Sequence, residues 1–498
     1  MKVKRVVETT SRFLRDLWTH RRPRQSIQDG IVSPEQLKFS LNINSLPPEI
    51  LVGEIFPLVI DDVDAKLWLK SILVLECVCP NWRRLVQSAP LLWTGCISVN
   101  TLQFQAKRHS NRLVKKYLAH IERALSRSSP LAVPVSLDWK EFRNLKDFTR
   151  AVDLIFHVSS RWKSLRISTG SNYEAAPCAL HALRSIPPDS LQSLTALTLT
   201  IPPNITPAIY PHSPLAFQTA PNLRNVRLFV WWAENIDVIP MPWAQLTHLS
   251  LTSCVPRACI ETLVQCPNVV SAFLGCPYPQ LDTLAVLGGT SSLEHLETLR
   301  ISASPAFIEG LGDLTFPALG TLELFYPDDD GMVWSSPDKF QRFPLVSAPN
   351  LQHLKLDLHG ETLSSLDLCA LLRCTPTISH LDLTGCISFD NDLLSALRAD
   401  TERDTGAWGS SILIPRLEVL SVDCETEVGV DFDEAKMRQM VISRHQPDPG
   451  RGLSWFKALF YKGVGRTFGE NLGIPDSINS VHVRSFDVGE HGSLLLFL

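Results

Sequence analysis

Two stretches of nine residues share one pattern of apolar side chains. Residues 246–254 read LTHLSLTSC and residues 378–386 read ISHLDLTGC, with apolar residues at the first, fourth and sixth positions of each. Side chains alternate between the two faces of a strand, so Leu249 and Leu251 point one way and His248 and Ser250 point the other. The pattern predicts a short strand with one buried face and one polar face.

The six-residue core of this pattern recurs along most of the chain. Its central apolar residue stands at positions 165, 197, 226, 249, 272, 299, 322, 354, 381 and 420. Neighbouring centres are 23 to 39 residues apart, and the mean of about 28 lies within the range of solenoid repeats. A single hexamer of this kind arises by chance in a leucine-rich helix, but a series indicates an array of strand-containing repeats.

Six of the copies follow a Pro-x pair directly. Proline disfavours the helical conformation in the residue before it, so each pair predicts where one segment ends and the next strand begins. The short segments at 257–266 and 366–374 between strands have helical apolar spacing. The prolines concerned are Pro221, Pro267, Pro317, Pro349, Pro376 and Pro415.

The two longer stretches resemble the leucine-rich-repeat consensus L-x-x-L-x-L-x-x-N/C. This resemblance implies an α/β fold, an irregular leucine-rich-repeat solenoid over residues 131–490 with a parallel sheet on its concave face. The uneven spacing comes from insertions such as 201–222 and 326–350, which we expect at the surface. Residues 491–498 are expected to form a C-terminal tail.

The composition is that of an ordinary globular protein. Of 498 residues, 45% are hydrophobic and 20% are charged, and the formal net charge is -4, which gives no overall attraction to nucleic acid or to an anionic membrane. The twelve cysteines include no C-x-x-C pair, and no apolar run has the length of a signal-peptide core or a membrane span. We therefore expect a cytoplasmic or nuclear protein with free thiols and a basic, disordered tail over residues 1–40.

A second kind of pattern precedes the repeats, in residues 41–99. LPPEIL at 46–51 predicts a helix that starts at two prolines, where missing N–H groups cost nothing. Further helices are expected at 64–78 and from Pro80 onward, and PLLW at 90–93 closes the segment. These spacings predict a small three-helix domain in front of the repeats.

Two details qualify this helical segment. Pro57 lies inside the first predicted helix and should kink or end it. A further amphipathic helix is predicted at 111–127, within a linker of residues 100–130. We expect this helix to connect the small domain rigidly to the repeats.

LPPEIL, the run V-C-x-x-W-R-x-L at 78–85 and the closing PLLW together resemble an F-box, with the pieces in the order of that family. The resemblance implies docking on a Skp-family adaptor and through it on a cullin, so that the chain is the substrate-recognition subunit of an SCF-type ubiquitin ligase. The repeats would then hold a protein substrate. The residues that match adaptor-binding positions are Leu46, Pro47, Pro48, Ile50, Leu51, Ile55, Trp82 and Trp93.

A different interpretation stays open at the level of sequence. The first helix has an apolar stripe at helical spacing, which includes Ile50, Leu51, Ile55 and Leu58. The helical domain could cap the repeats with this stripe packed internally, in a non-catalytic scaffold or interaction protein that has no role in a ligase. The two interpretations differ in whether the stripe is buried against a partner or against the chain itself. In either case, burial of one leucine or isoleucine of the stripe contributes about 1.5–3 kcal/mol.

The outward-facing positions of the strands give the candidate substrate-binding surface. Arginines stand in the early repeats and carboxylates in the late ones, apart from Lys355, which predicts a dipolar groove with phenylalanines as apolar anchors. The alternative is an ordinary solvated sheet face. The candidate residues are Arg166, Arg227, Phe229, Phe273, Arg300, Glu323, Phe325, Asp357, Asp382 and Asp423.

Known motifs of catalysis and metal binding are missing from the sequence. It contains no G-x-x-x-x-G-K-[ST] loop, no H-E-x-x-H and no G-x-S-x-G, so we expect a chain without catalysis, metal or cofactor. His248, His353 and His380 each precede a central leucine. Only His353 and His380 belong to neighbouring copies, which disfavours a metal ladder.

Overall fold

The structure is a computed structural model whose described residues fall into two compact units. It describes residues 46–61, 68–100, 111–138, 145–169, 182–201, 215–230, 240–253, 255–276, 291–303, 307, 311, 314–326, 349–358, 363–384, 390–398, 413–424, 433–444, 455–461 and 481–486. The first unit comprises Met1–Ser168, Ser185–Thr195 and Ala220–Asn222, and the second comprises Thr169–Arg184, Ala196–Thr219 and Leu223–Leu498. The two predicted tails and most of the two insertions lie outside the described residues.

Three helices open the first unit. Helix α1 runs from Pro48–Ile50 through a π-helical turn at Leu51–Ile55 to Phe56–Asp61. Helix α2 is Trp68–Val78, helix α3 is Pro80–Ser88, and a 3-10 turn follows at Pro90–Trp93. Prolines fit these starts because the first helical position needs no N–H. Helices thus lie where the apolar spacing predicts them.

Helix α1 continues through Pro57 as far as Asp61, so Pro57 does not end this helix, which was one of the two predicted outcomes. The reason is the π-helical turn directly before it, in which the Phe56 N–H donates to the Leu51 carbonyl five residues back. Such a turn lets a helix continue where the regular bonding to the fourth residue back is interrupted. The wider turn also changes which side chains share a face of α1.

The helices of the first unit enclose an aromatic core. The rings of Phe56 and Trp82 lie 4.9 Å apart between centroids. Trp93 is fully buried, and its indole N–H donates to the Val86 carbonyl at 2.8 Å. Cys79 caps α3, since its sulfur accepts a hydrogen bond from the Trp82 N–H at 3.4 Å. The V-C-x-x-W-R-x-L and PLLW runs therefore hold the helices together.

A longer helix, α4 at Asn111–Arg127, is present at the predicted place. Arg127 forms an ion pair with the buried Glu76 of α2 and lies 4.7 Å from the centroid of the Trp93 ring. Arg161 donates to the carbonyl of Leu125 near the end of α4, at 2.9 Å. These contacts fix α4 to the three preceding helices and supply donors for its C-terminal carbonyls.

The first unit also contains a parallel sheet. Its strands pair in the order β1-β2-β3, and α5 connects the last two. Val99 lies opposite Leu137, which lies opposite Ile167, and all three are buried. The strands are β1 (Ile97–Asn100), β2 (Val133–Asp138) and β3 (Trp162–Ser168), with α5 at Leu145–Phe156.

The second unit is built on a larger, open parallel sheet in which each strand pairs with the next one named here. Its strands are β4 (Ala196–Ile201), β5 (Asn225–Val230), β6 (His248–Ser253), β7 (Ser271–Cys276), β9 (Thr298–Ala303), β11 (Thr321–Tyr326), β12 (His353–Leu358), β13 (His380–Thr384), β14 (Val419–Cys424), β15 (Trp455–Tyr461) and β16 (Val481–Phe486). The short strands β8 (Ser291–Ser292) and β10 (Leu314–Thr315) form a separate pair. The predicted α/β class with an open parallel sheet is confirmed.

The predicted central residues lie in register across the second sheet. Leu299 lies opposite Leu322, which lies opposite Leu354 and then Leu381. Each is at most 2% exposed, so the stacked leucines form a continuous apolar row. The residues on either side of each centre face away from this row, as the alternation predicts.

Helices and tight turns connect the strands of the second unit. The predicted helical segments at 257–266 and 366–374 are confirmed as α6 and α7. No helix among the described residues is long and apolar enough to cross a membrane. The helices are α6 (Pro256–Val264), α7 (Ser365–Cys374), α8 (Asn391–Leu397) and α9 (Glu434–Arg444).

Three of the six strand-preceding prolines are followed by an asparagine whose role the sequence did not reveal. In the second unit, the Asn268 amide donates to the Ala244 carbonyl at 2.6 Å, and the Asn350 amide donates to the Pro317 carbonyl at 2.9 Å. Asn222 makes the corresponding bond within the first unit. Each acceptor lies in the turn before the preceding strand, so the Pro-Asn pairs join successive turns by hydrogen bonds.

Candidate functional site

The first unit has an exposed stripe along helix α1. Pro47, Ile50, Glu54 and Leu58 are exposed, and such positions recur every three or four residues from the N-cap of α1 onward. Ile50 is 43% exposed and Leu58 is 50% exposed. Several large apolar side chains exposed together on a surface indicate a candidate interaction site.

The residues predicted to bind an adaptor divide into two groups. Leu51 and Trp93 are fully buried, and Ile55 and Trp82 are each 5% exposed, so these four form the core of the unit and offer no surface to a partner. Pro47, Pro48 and Ile50 are exposed, and Leu46 is half-buried. Of the eight predicted residues, only Leu46, Pro47, Pro48 and Ile50 are therefore accessible for the predicted contact.

Two exposed leucines were absent from the predicted contact set. Leu58 lies on α1, and Leu91 lies in the 3-10 turn, where it is 62% exposed. Leu91 stands inside PLLW, between the half-buried Pro90 and the buried Leu92. The motif alone gave no sign that one of its two leucines faces outward.

The outer face of the second sheet carries a row of charges that alternate in sign. Arg300, Glu323, Lys355 and Asp382 lie opposite each other in that order on β9, β11, β12 and β13. The Arg300 guanidinium is 2.8 Å from the Glu323 carboxylate. The Lys355 ammonium lies 5.4 Å from the centroid of the Phe325 ring, as in a cation–π contact.

This alternation changes the predicted dipolar groove. Arg300 was counted with the early cations and Glu323 with the late anions, but they lie on adjacent strands and neutralise each other. Lys355 lies opposite Asp382 in the register of β12 and β13. Across β9 to β13 the outer face therefore alternates in charge, and the dipole predicted there is corrected to an alternation of cations and anions on neighbouring strands.

The other predicted substrate-binding residues lie in two rows of the same sheet. Phe273 shares the row of Arg300 and lies opposite it. Phe229 and Asp357 belong to the neighbouring row, and both are half-buried. The backbone of Asp423 lies opposite Thr384 in that row. Arg166 is exposed on β3 of the first unit.

Arg227 differs from Arg300 in its surroundings. It is exposed on β5, and its cross-strand neighbours are Thr198 on β4 and Ser250 on β6. Neither neighbour carries a charge. Among the described residues, no carboxylate lies within ion-pair distance of the Arg227 guanidinium. Arg300 is therefore paired with a carboxylate, whereas the charge of Arg227 faces solvent.

His353 and His380 lie opposite each other, with ring centroids 4.1 Å apart and planes inclined by 25°. Desolvation by partial burial, followed by the charge of a protonated His380, lowers the pKa of His353. His380 Nδ1 lies 2.8 Å from the Ser379 hydroxyl. Across the described part of the chain, no cluster of three or more His, Cys, Asp or Glu side chains is placed to hold a metal ion.

Several cysteines are buried in the second unit. Burial raises the pKa of the Cys266 thiol to about 12 and that of the Cys369 thiol to about 11. The Cys266 thiol donates to the Thr262 carbonyl. Thiols with such pKa values stay protonated at neutral pH and are poor nucleophiles, in line with the predicted packing role.

Comparison with known proteins adds no assignment. No family model matches the chain, and no curated protein matches it either. Two exposed surfaces remain as candidates for function, the stripe of α1 and the outer face of the second sheet.

Proposed function

We propose that this chain is the substrate-recognition subunit of an SCF-type ubiquitin ligase. In this proposal the helices of the first unit are an F-box that docks on a Skp-family adaptor and so on a cullin, and the sheets belong to leucine-rich repeats that bind a protein substrate. The chain itself is then a non-catalytic adaptor that acts in the cytoplasm or the nucleus. It would need no cofactor, nucleic acid or membrane.

The observation that supports docking is the exposure of Ile50 on a helix whose opposite side is fully packed. Leu51 and Ile55 bury one side of α1 in the aromatic core, while Ile50 and Leu58 face outward. A surface helix normally hides its apolar residues, so an apolar outer stripe is suited to a partner. Pro47 and Pro48, exposed at the start of the helix, extend this stripe.

The parallel register supports the repeat assignment. The connection from β11 to β12 has 26 residues and that from β12 to β13 has 21, yet the three strands align their central leucines without any shift. Stacking of this kind is what repeats achieve when each one covers the apolar face of its neighbour. The polar outer face then provides a surface that varies independently of the folding core.

The docking proposal is tested by a charge placed on the stripe. Ile50→Glu should weaken binding to a purified recombinant Skp-family adaptor by about tenfold or more, because burial of a carboxylate replaces burial of an apolar side chain. Binding is measured by calorimetry with the full-length chain. Since Ile50 is 43% exposed, the substitution should leave the melting temperature nearly unchanged.

The matched control is Leu366→Glu. Leu366 is 72% exposed on α7 of the second unit, so this variant makes the same kind of change on another surface and should bind the adaptor normally. Failure of the unaltered chain to bind the adaptor would refute the proposal. Equal weakening by both variants would assign the effect to general surface charge instead of the α1 stripe.

The second candidate function is a non-catalytic scaffold in which the helices cap the repeats. It is favoured by the contacts of α4, since Arg127 joins Glu76 and Trp93 and so fixes the three helices to the following segment. A scaffold of this kind would bind a partner through the second unit but would not bind the adaptor. The calorimetric measurement on the unaltered chain therefore separates the two candidates.

A further inference from the structure

We propose that the outer face of strands β4 to β7 binds an extended acidic peptide, in which one carboxylate pairs with Arg227 and a nearby apolar side chain packs on Phe229 or Phe273. This inference rests on the proposed function, in which the outer sheet face holds a protein substrate. It adds the chemical class of that substrate and its position on the sheet.

The charge of Arg227 is what distinguishes this part of the face. Farther along the sheet, the Arg300 guanidinium is 2.8 Å from Glu323, and Lys355 lies opposite Asp382. Each of those cations faces a carboxylate residue on a neighbouring strand. Arg227 is exposed, and none of the described carboxylates lies within ion-pair distance of it, so its guanidinium is available to an external anion.

The immediate surroundings of Arg227 are polar and uncharged. Thr198 and Ser250 flank it on the neighbouring strands, and both are half-buried. Their hydroxyls can donate to a bound carboxylate or accept from a peptide N–H without competing for the guanidinium. The site thus offers one cation with hydroxyl groups on both sides.

The apolar anchors lie at distances that suit an extended peptide. Phe229 is two residues along β5 from Arg227, about 7 Å away, and Phe273 is two strands across, about 10 Å away. An extended chain advances about 3.3–3.6 Å per residue. A leucine or phenylalanine two or three residues from the acidic residue therefore reaches one of these half-buried rings.

The single charge favours a carboxylate over a phosphate. One guanidinium forms a bidentate pair with one carboxylate and neutralises it. A phosphate carries about −1.5 to −2 at neutral pH, so one arginine would leave part of that charge uncompensated. The next arginine along the sheet, Arg300, is already paired with Glu323 and does not supply the missing cation.

The test is a selection from a phage library of random twelve-residue peptides against the full-length chain. We expect the enriched peptides to contain Asp or Glu with an apolar residue two or three positions away. Synthetic copies should bind Arg227→Gln about tenfold more weakly than the unaltered chain, because one charged hydrogen-bonding partner is lost. Arg227→Lys, which keeps the charge but loses the planar fork, should fall between them.

Arg257→Gln is the matched control, because it removes an exposed arginine of the same unit that lies on helix α6, outside the proposed site, and is already paired with Glu261. It should bind the synthetic peptides within about twofold of the unaltered chain, since a paired surface charge contributes little to a neighbouring site. Equal weakening by both glutamine variants would overturn the assignment to Arg227. Normal melting temperatures for both variants show that any loss is local.

Three further outcomes would also overturn the inference. They are no enrichment of any peptide, enrichment of peptides without acidic residues, and tenfold tighter binding when phosphoserine replaces the acidic residue. Adaptor binding is measured on the same preparations. If the peptides behave as expected while the adaptor does not bind, the peptide site stands and the ligase role falls.

Discussion

Arg444 is a cation that the second unit buries, with only 4% of its surface exposed. Its Nε donates to the Leu397 carbonyl at 2.6 Å, and Nη1 donates to the Ile414 carbonyl at 2.8 Å, while Nη2 reaches the Leu413 carbonyl. Burial lowers the pKa of the guanidinium to about 10, which still leaves it charged at neutral pH. One side chain of α9 therefore satisfies the end of α8 and the turn before β14.

Replacement of Arg444 should be costly for stability. Arg444→Met leaves three buried carbonyls without donors, and each unsatisfied polar group costs about 1–3 kcal/mol. We expect the free energy of unfolding to fall by about 3 kcal/mol or more, measured by urea denaturation. Arg416→Met, at an exposed position just before β14, is the control and should change stability by less than about 0.5 kcal/mol. Equal stability of the two variants would contradict this role.

Helix α1 shows which features the spacing of apolar residues within one helix predicts and which it does not. LPPEIL gave the position of the helix correctly, but Ile50, Leu51, Ile55 and Leu58 read as one apolar stripe at 3.6-residue spacing. In the structure Leu51 and Ile55 are buried while Ile50 and Leu58 are exposed, and a π-helical turn at Leu51–Ile55 separates Ile50 from Leu58. Such a turn depends on packing around the helix, which the spacing of apolar residues does not contain.

The strands were more predictable than the pairing of their outer side chains. The strands could be predicted from the alternation of apolar and polar residues and from the Pro-x pairs, because both signals depend on residues only a few positions apart in the sequence. The registers that pair Arg300 with Glu323 follow from the centres at 299 and 322, yet the actual ion pair depends on side-chain conformation across 23 residues of sequence. The Asn268 bond to Ala244 is of the same long-range kind.

Gly53 gives a test of helix α1 as an element. It lies in the π-helical turn at an exposed position, and a Cβ atom added there would meet no atom within 4 Å. Glycine in a helix is less favourable than alanine by about 0.8–1.0 kcal/mol. Gly53→Ala should therefore raise the free energy of unfolding of the first unit by up to about 1 kcal/mol, measured by thermal denaturation. A lower melting temperature would show that the turn needs glycine.

At the scale of the whole molecule, the two proposed surfaces belong to different compact units. Ile50 lies in the first unit, and Arg227, Phe229 and Phe273 lie in the second. Substitutions at residues that share no partners usually act independently. Adaptor binding and peptide binding should accordingly be lost one at a time, and an Ile50→Glu/Arg227→Gln chain should lose both by the same factors as the single variants.

Ubiquitin transfer should require both surfaces on one chain, because a substrate receptor works by holding its substrate and its adaptor at the same time. In a reconstituted Skp–cullin–RING reaction, the substrate is a fusion protein that carries a selected acidic peptide. The unaltered chain should support its ubiquitination, and Ile50→Glu and Arg227→Gln should each reduce the rate by about tenfold, in line with their binding losses. An equimolar mixture of the two variants should remain equally slow, since neither chain can join substrate to adaptor. Recovery of activity in the mixture would mean that two chains share the task, and an unchanged rate with Arg227→Gln would remove the outer sheet face from substrate capture.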